Sequence, residues 1–206
     1  MIINKLRLTG ILTCIILLAS CGMRQRQVAG FTETELALIH GSDSIMRVLT
    51  IDDLADLSVL RAKSSDLPDS VLMSDEFARL AELMVATVTH PSQDGVGIAG
   101  PQVGLNRRVI AVQRFDKEGE PFEVYPNVRI VWASDSLATG PEGCLSVPDR
   151  NGDVLRSREI VIEYADMNRL DEEDYMVRET VYGFTAVIFQ HEVDHLDGVL
   201  YIDRLR

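Results

Sequence analysis

Two histidines four positions apart, with a glutamate directly after the first, form the segment of this chain best suited to chemistry: His191, Glu192 and His195. On a helix, residues i and i+4 share one face, so both imidazoles can reach a single metal ion. The Glu192 carboxylate would lie about 100° further round the helix, within reach of a metal-bound water. The pattern indicates a metal-dependent hydrolase, but catalytic zinc-type sites have three protein ligands and this segment supplies two.

Neither common protease arrangement supplies the third ligand. In one class the pattern continues as H-E-x-x-H-x-x-G-x-x-H. Here Gly198 falls in the glycine position, but Tyr201 occupies the place of the third histidine. In the thermolysin-like class the third ligand is a glutamate, and the eleven residues after His195 contain none. The third ligand is therefore expected upstream.

Upstream of the helix, three residues could complete the site. His40 lies in a polar stretch and His90 precedes a proline, and such positions are more typical of surface histidines than of metal ligands. Cys144 lies in the segment Glu142-Gly-Cys-Leu-Ser146. Its thiolate is a soft ligand suited to Fe(II) or Zn(II), which makes it the favoured candidate.

The first twenty residues have the pattern of a secretory signal peptide. Two basic residues precede the apolar run 11–18, which is too short for a comfortable transmembrane span. Leu18-Ala-Ser-Cys21 is typical of a bacterial lipobox, and this predicts cleavage before Cys21 and attachment of lipid to its sulfur. Cys144 would then be the single free thiol of an exported protein, a liability in an oxidising compartment unless it is buried or bound to metal.

Three segments occur in a fixed order along the chain: Gly95-Val-Gly-Ile-Ala-Gly-Pro-Gln102, Glu142-Gly-Cys-Leu-Ser146 and Gln190-His-Glu-Val-Asp-His-Leu196. Together they resemble the three signature motifs of the peptide deformylases, which remove the formyl group from N-formylmethionyl peptides. The resemblance extends from about residue 45 to residue 206. One departure is Gly100, where the family usually has alanine.

The resemblance implies a metal centre and an acid–base residue. Cys144, His191 and His195 would hold one divalent metal ion, with Fe(II) preferred and Zn(II) the other possibility, and would leave a position for water. Hydroxide on the metal would attack the formyl carbon. Glu192 would accept the proton of the water and deliver it to the leaving amine, as general base and then general acid.

The resemblance also implies supporting roles around that centre. The Gln102 side-chain amide and the Leu145 backbone N–H would stabilise the oxyanion that forms on the formyl oxygen. Gly97 would offer its backbone to the substrate, because the absence of a side chain allows close approach. Asp194 would pair with Arg156 and so orient the ligand-bearing helix.

Methionine specificity requires an apolar pocket beside the metal. Phe184, Val187 and Ile188 precede His191 by seven, four and three positions, so they share its helix face. Together with Val96 they are candidate walls of a substrate pocket. The same stripe could equally be ordinary core.

The elements that must position these residues follow from hydrophobic periodicity. Apolar residues recur at helical spacing from Asp75 to Thr89, with Ser74 as a candidate N-cap. Four short β-rich runs bounded by turn residues predict strands, and they cover residues 108–112, 122–125, 129–132 and 159–164. Strands followed by a late helix predict an α+β fold, with antiparallel β-sheets surrounding a central metal-binding helix.

Composition divides the chain and limits its partners. We expect a signal peptide over residues 1–20, a polar tether over 21–44 and one catalytic domain over 45–206. The net charge is −12, and removal of Lys5 and Arg7 with the signal peptide would make it −14. This charge argues against nucleic acid and against electrostatic docking onto anionic lipid. Attachment to a membrane would therefore depend on lipid at Cys21.

The sequence therefore predicts a metal-dependent peptide deformylase, exported and lipid-anchored on the periplasmic or cell-surface face of a bacterial membrane. Two alternatives stay open: a related amidase acting on another N-acylated peptide, and a non-catalytic lipoprotein that captures formyl peptides or metal. Glu192 favours chemistry over capture, because binding alone needs no acid–base residue.

Overall fold

The computed structural model describes residues 30–206. The predicted signal peptide, the lipobox and the start of the predicted tether lie outside these residues. The helices are α1 (Glu33–His40), α2 (Leu54–Leu60), α3 (Asp69–Leu72), α4 (Asp75–Val88) and α5 (Gly183–Leu196). The strands are β1 (Gly97–Ala99), β2 (Val109–Gln113), β3 (Phe122–Pro126), β4 (Arg129–Ala133), β5 (Leu137–Cys144), β6 (Val147–Ser157), β7 (Glu159–Ala165) and β8 (Met176–Tyr182). None of the helices in this part of the chain is long and apolar enough to cross a membrane.

The strands form three antiparallel sheets. β1, β2 and β3 make one sheet, β4, β7 and β8 make a second, and β5 pairs with β6 in a long hairpin. All three sheets contact α5 or the turns beside it. The predicted α+β fold, with antiparallel sheets around the His-Glu-x-x-His helix, is confirmed.

Helix α5 lies between the sheets because its apolar side chains pack against residues of more than one sheet. Ala186, Phe189, Val193 and Leu196 are buried in one cluster with residues of the first two sheets. The helix starts at Gly183, directly after β8. The φ of Gly183 is 61°, a left-handed conformation that glycine adopts without strain. Burial of these side chains fixes the rotation of α5 and hence the direction in which its polar residues point.

The periodic segments of the sequence fold as predicted. Helix α4 ends one residue before the predicted end, and Ser74 caps it by accepting a hydrogen bond from the Phe77 N–H at 3.2 Å. The four predicted strands correspond to β2, β3, β4 and β7, each with its ends within one residue of the prediction. Helix α4 and strands β2, β3 and β7 carry buried apolar side chains of the core, whereas β4 has no buried residue and was predicted from its β-rich composition.

The structure differs from the predicted tether over residues 30–44. This segment contains α1, with a capping box in which Thr32 and Glu35 bond each other's backbone N–H. Phe31 and Ile39 are buried in the core beside α4. The segment is polar on average, but Phe31, Leu36 and Ile39 pack against the core, whereas Leu38 is exposed. The folded body therefore begins before residue 45.

Candidate metal centre

The two histidines of α5 and the cysteine at the end of β5 lie together. The ligand atoms of Cys144, His191 and His195 are all within 4.8 Å of one another. The Cys144 Sγ lies 3.2 Å from the His195 Nε2, and the centroids of the two imidazole rings are 5.1 Å apart. His40 and His90, the other upstream candidates, are exposed and do not belong to this group. The structure thus brings together the three predicted metal ligands.

Tyr201 stands where one protease class has its third histidine, and it serves a different purpose. Its ring stacks on the His191 ring, with centroids 6.0 Å apart and planes inclined by 21°. The side chain is almost fully buried. It covers one side of the ligand-bearing helix with a flat apolar surface.

The β5–β6 hairpin places Cys144. The ladder shifts register between Gly143 and Cys144, and such irregularities re-aim the following side chain. Leu145 and Ser146 then form the two-residue turn that joins the strands, so the Leu145 N–H lies outside the ladder. Sequence patterns missed this hairpin, because its glycines, proline and aspartates are poor strand formers.

The donor atoms fit a divalent transition metal. One thiolate and two imidazoles are ligands that Fe(II) and Zn(II) accept, and three protein ligands leave an open coordination position. The His191 Nδ1 bonds the Glu142 Oε2 at 2.8 Å, which leaves its Nε2 free for a ligand. The Glu192 Oε2 is buried beside these residues without a hydrogen-bond partner. A buried carboxylate oxygen without a partner is expected where a ligand binds.

Burial and neighbouring charges set the protonation of the centre. Burial raises the pKa of the Glu142 carboxyl, but hydrogen bonds from Arg156 and His191 lower it more, to about 2. Burial lowers the pKa of His191, and its hydrogen bonds to Cys144 and Glu142 raise it to about 10. Burial, followed by the charge of His191, holds the pKa of His195 well below its ordinary value. The pKa values of the two histidines are therefore shifted in opposite directions, upward for His191 and downward for His195.

Glu192 is the acidic group that the centre leaves unpaired. The side chain is nearly inaccessible to solvent, and burial raises the pKa of its carboxyl to about 7. Its Oε1 lies against β1: a Cβ built on Gly97 would stand 2.5 Å from that oxygen and 2.8 Å from the Ile188 Cγ2. Gly97, expected to leave room for substrate, therefore also leaves room for the Glu192 carboxylate.

Gln102 is held with its amide nitrogen towards the ligands. It lies in the 3₁₀ turn Gly100–Val103, and its Oε1 accepts the Ala99 N–H at 2.9 Å. With the oxygen so engaged, the Nε2 faces the Ser146 Oγ at 3.2 Å and the Cys144 Sγ at 3.5 Å. The orientation of the amide is thus fixed before any ligand arrives.

A cleft of about 370 Å³ opens over the centre. Every predicted substrate residue lines it: Val96, Gly97, Phe184, Val187 and Ile188. Phe184 is 57% exposed and lies at the edge of the cleft, where its ring contacts Phe115 with centroids 5.3 Å apart. Asp94 also lines the cleft and carries no periodicity or motif that would have identified it.

The predicted pair of Asp194 and Arg156 forms, with the Arg156 Nη1 donating to the Asp194 Oδ2 at 2.6 Å. The prediction missed Glu142, which joins this pair to the centre: Arg156 binds both of its oxygens, at 2.7 and 2.9 Å. The available signal was its place two residues before Cys144 in the second motif. That Arg156 binds Glu142 as well as Asp194, however, is decided by the folded chain.

Comparisons with known proteins agree on one family. A family model described as polypeptide deformylase matches residues 45–206. Peptide deformylase 2 of Gloeobacter violaceus is 41% identical over 159 residues, covering 76% of this chain and 79% of that protein. A peptide deformylase of Caulobacter sp. (strain K31) is 38% identical over 163 residues, covering 79% and 88%.

Solved structures are similar over the same region. The class I type b peptide deformylase of Acinetobacter baumannii with Met-Ala-Ser bound is 33% identical, with a TM-score of 0.67, covering 78% of this chain and 98% of that one. Peptide deformylase from Thermotoga maritima is 30% identical, with a TM-score of 0.67, covering 80% and 99%.

Proposed function

This chain belongs to the peptide deformylase family and removes the N-formyl group from formylmethionyl peptides, and we propose that Cys144, His191 and His195 hold its metal ion while Glu192 transfers the proton. The observation that carries this assignment is the cluster of three ligand atoms within 4.8 Å. The carboxylate of Glu192, buried with one unpaired oxygen in the same cleft, supports its role.

The proposed metal is Fe(II), with Zn(II) as the second possibility. When bound, such an ion supplies a Lewis acid that lowers the pKa of a water molecule and polarises the formyl oxygen. The mixed sulfur and nitrogen donor set suits either ion. Glu142 and Tyr201 hold the His191 ring by a hydrogen bond and by stacking, which supports a preorganised site.

Glu192 is proposed to work first as a base and then as an acid. Its carboxylate accepts a proton from the attacking water and returns it to the methionine nitrogen as the C–N bond of the formamide breaks. In the metal-free protein, burial raises the pKa of this carboxyl to about 7, which favours its role as a proton acceptor. The Glu192 Oε1 lies against Gly97, and both residues line the cleft.

The oxyanion that forms on the formyl oxygen is proposed to accept hydrogen bonds from the Gln102 side-chain amide and the Leu145 backbone N–H. The Gln102 Nε2 is directed to the ligand side of the cleft because the Ala99 N–H fixes the other end of the amide. The Leu145 N–H lies in the turn beside Cys144 and takes no part in the strand ladder. Two donors fixed in advance stabilise charge that develops only in the transition state.

The methionine side chain is proposed to bind against the apolar wall of the cleft. Val96, Val187 and Ile188 line this wall, and Phe184 stands at its edge. The Acinetobacter baumannii relative was solved with Met-Ala-Ser bound, which supports a peptide with an N-terminal methionine as the ligand of the corresponding cleft.

We further propose that the mature protein is exported and anchored by lipid on Cys21. The basic start, the apolar run 11–18 and the lipobox Leu18-Ala-Ser-Cys21 support this. Membrane extraction of the wild type and of Cys21→Ser, with mass spectrometry of the N-terminal peptide, tests it. A wild-type protein retaining residues 1–20 without lipid would contradict the proposal.

The catalytic proposal is tested with purified protein loaded anaerobically with Fe(II) or Zn(II). Formate release from formyl-Met-Ala-Ser is measured beside cleavage of acetyl-Met-Ala-Ser. We expect rapid release of formate by the wild type, loss of release after chelation, and no recovery of release on reloading Cys144→Ala. Formate release by metal-loaded Cys144→Ala at the wild-type rate would contradict the ligand assignment. Preference for the acetyl peptide would favour a different amidase.

A further inference from the structure

Four charged side chains form a continuous chain of ion pairs from the metal centre to the C-terminal segment. Glu142 accepts hydrogen bonds from the Arg156 Nε and Nη2, and the Arg156 Nη1 donates to Asp194. The Asp194 carboxylate then binds Arg204 through both oxygens, each at 2.6 Å. We call Glu142, Arg156, Asp194 and Arg204 the ion-pair chain.

Asp194 is the shared member of this chain. Its Oδ2 accepts the Arg156 Nη1 at 2.6 Å and the Arg204 Nε at the same distance. Arg156 and Glu142 are almost fully buried, Asp194 is mostly buried, and Arg204 reaches the surface. Positive and negative groups alternate along the chain, so removal of Arg204 would leave Asp194 with Arg156 alone.

The C-terminal segment that carries Arg204 is docked at more than one point. Leu205 forms a bridge with Val154 of β6, and Asp203 pairs with Arg61 at the end of α2. Within the same segment Tyr201 stacks on His191. The Arg61 pair holds the segment without touching the ion-pair chain, and this makes it a natural reference for the effect of docking alone.

We propose that Arg204 is a positioning residue of the metal centre. With Arg204 present, Asp194 is shared between Arg156 and Arg204, and Arg156 keeps both of its hydrogen bonds to Glu142. Glu142 in turn holds the His191 Nδ1 at 2.8 Å and so directs the Nε2. Without Arg204, Arg156 is drawn towards the uncompensated Asp194, its bond to Glu142 weakens, and the His191 ring loses its fixed orientation.

The test compares Arg204→Met and Arg204→Lys with Arg61→Met, using Co(II) as the metal probe. Co(II) affinity is measured by chelator competition, the thiolate-to-cobalt absorption band reports the ligand geometry, and thermal unfolding of the metal-free proteins reports docking.

We expect about a tenfold weaker Co(II) affinity for Arg204→Met, as for loss of a group that supports a ligand histidine. The Co(II) affinity of Arg204→Lys should be intermediate, because lysine keeps the positive charge but cannot make the two parallel hydrogen bonds of a guanidinium. Arg61→Met should bind Co(II) within about twofold of the wild type, since the pair it removes supports no ligand.

The inference rests on the proposed metal centre, and the outcomes separate the two. A wild-type protein without a thiolate-to-cobalt band would overturn the centre itself. A normal band in the wild type, with unchanged affinity in Arg204→Met, would overturn the ion-pair chain alone. Equal weakening in Arg61→Met would also overturn it, because docking of the segment would then explain the effect. If Arg204→Met does not fold, a wild-type affinity and band in Arg204→Gln would decide against the proposal, because glutamine removes the charge that compensates Asp194.

Discussion

Two buried glutamates line the same cleft and have opposite properties. Glu142 is 8% exposed and Glu192 is 4% exposed. Glu142 binds Arg156 and His191, and its pKa falls to about 2. Glu192 has an oxygen without any partner, and burial raises the pKa of its carboxyl to about 7.

The difference shows that partners, rather than burial alone, decide what a buried carboxylate does. Burial raises the pKa of both groups. Only Glu142 has an arginine within hydrogen-bond distance, and this bond offsets the effect of burial on its pKa. Glu142 therefore stays ionised as a fixed acceptor for His191. The pKa of Glu192 lies near neutrality, which suits a group that transfers a proton. One carboxylate supports the centre, and the other is available for chemistry.

The sharpest test of this division is Glu192→Gln, which keeps the shape of the side chain and removes its proton transfer. We expect kcat to fall by about 10²–10⁴-fold, the usual contribution of general acid–base catalysis, with metal content unchanged. Formate release and metal analysis of the purified variant check this. A variant with nearly wild-type kcat would remove Glu192 from the chemistry.

The two glutamates should also affect stability in opposite directions as pH changes. In the metal-free protein the pKa of Glu192 is raised, so its ionisation opposes folding as pH rises from about 4.5 to 7. Glu192→Gln should therefore gain up to about 3 kcal/mol in unfolding free energy over the wild type by pH 8, and almost nothing at pH 4.

The pKa of Glu142 is lowered, so its stabilising contribution is present above about pH 4.5 and is lost as pH falls towards 2. The deficit of Glu142→Gln relative to the wild type should shrink over that range. Urea unfolding of the metal-free wild type and both variants at several pH values measures these slopes. Parallel curves for the three proteins would show that the two carboxylates do not differ in this way.

Glu142→Gln should act on metal binding more than on proton transfer. Loss of the ionised acceptor at the His191 Nδ1 should weaken metal affinity by about 10–100-fold. At saturating metal, kcat should recover most of its wild-type value, whereas kcat of Glu192→Gln should not respond to added metal. Chelator competition and metal titration of activity distinguish the two variants.

The smallest expected effect on activity comes from a substitution that crowds the Glu192 carboxylate and leaves Glu192 itself unchanged. Gly97→Ala places a methyl group 2.5 Å from the Glu192 Oε1, so the carboxylate must shift, and we expect kcat/KM to fall about tenfold because positioning errors cost rate. Gly140→Ala is the matched control, since a Cβ at that position meets nothing within 4 Å. Similar losses in both variants would mean that the contact with Glu192 is not the cause.

Sequence patterns predicted the elements whose apolar residues recur at helical spacing or form short β-rich runs bounded by turn residues. Helix α4 and strands β2, β3, β4 and β7 were legible for that reason. The β5–β6 hairpin was not, because the less exposed positions of β5 are the small or polar residues Ala138, Gly140, Glu142 and Cys144, which give no apolar period. Helix α1 was missed because the polar average of residues 21–44 concealed the buried Phe31 and Ile39.

The sequence by itself determined which groups could perform the reaction. The spacing of His191, Glu192 and His195 and the single thiol of residues 30–206, at Cys144, follow from the printed residues. Only the tertiary structure decided the state of each group. The acidity of Glu192 is set by burial without a hydrogen bond from an arginine, and that of Glu142 by its hydrogen bonds from Arg156. Such contacts join residues far apart in sequence, and no local pattern records them.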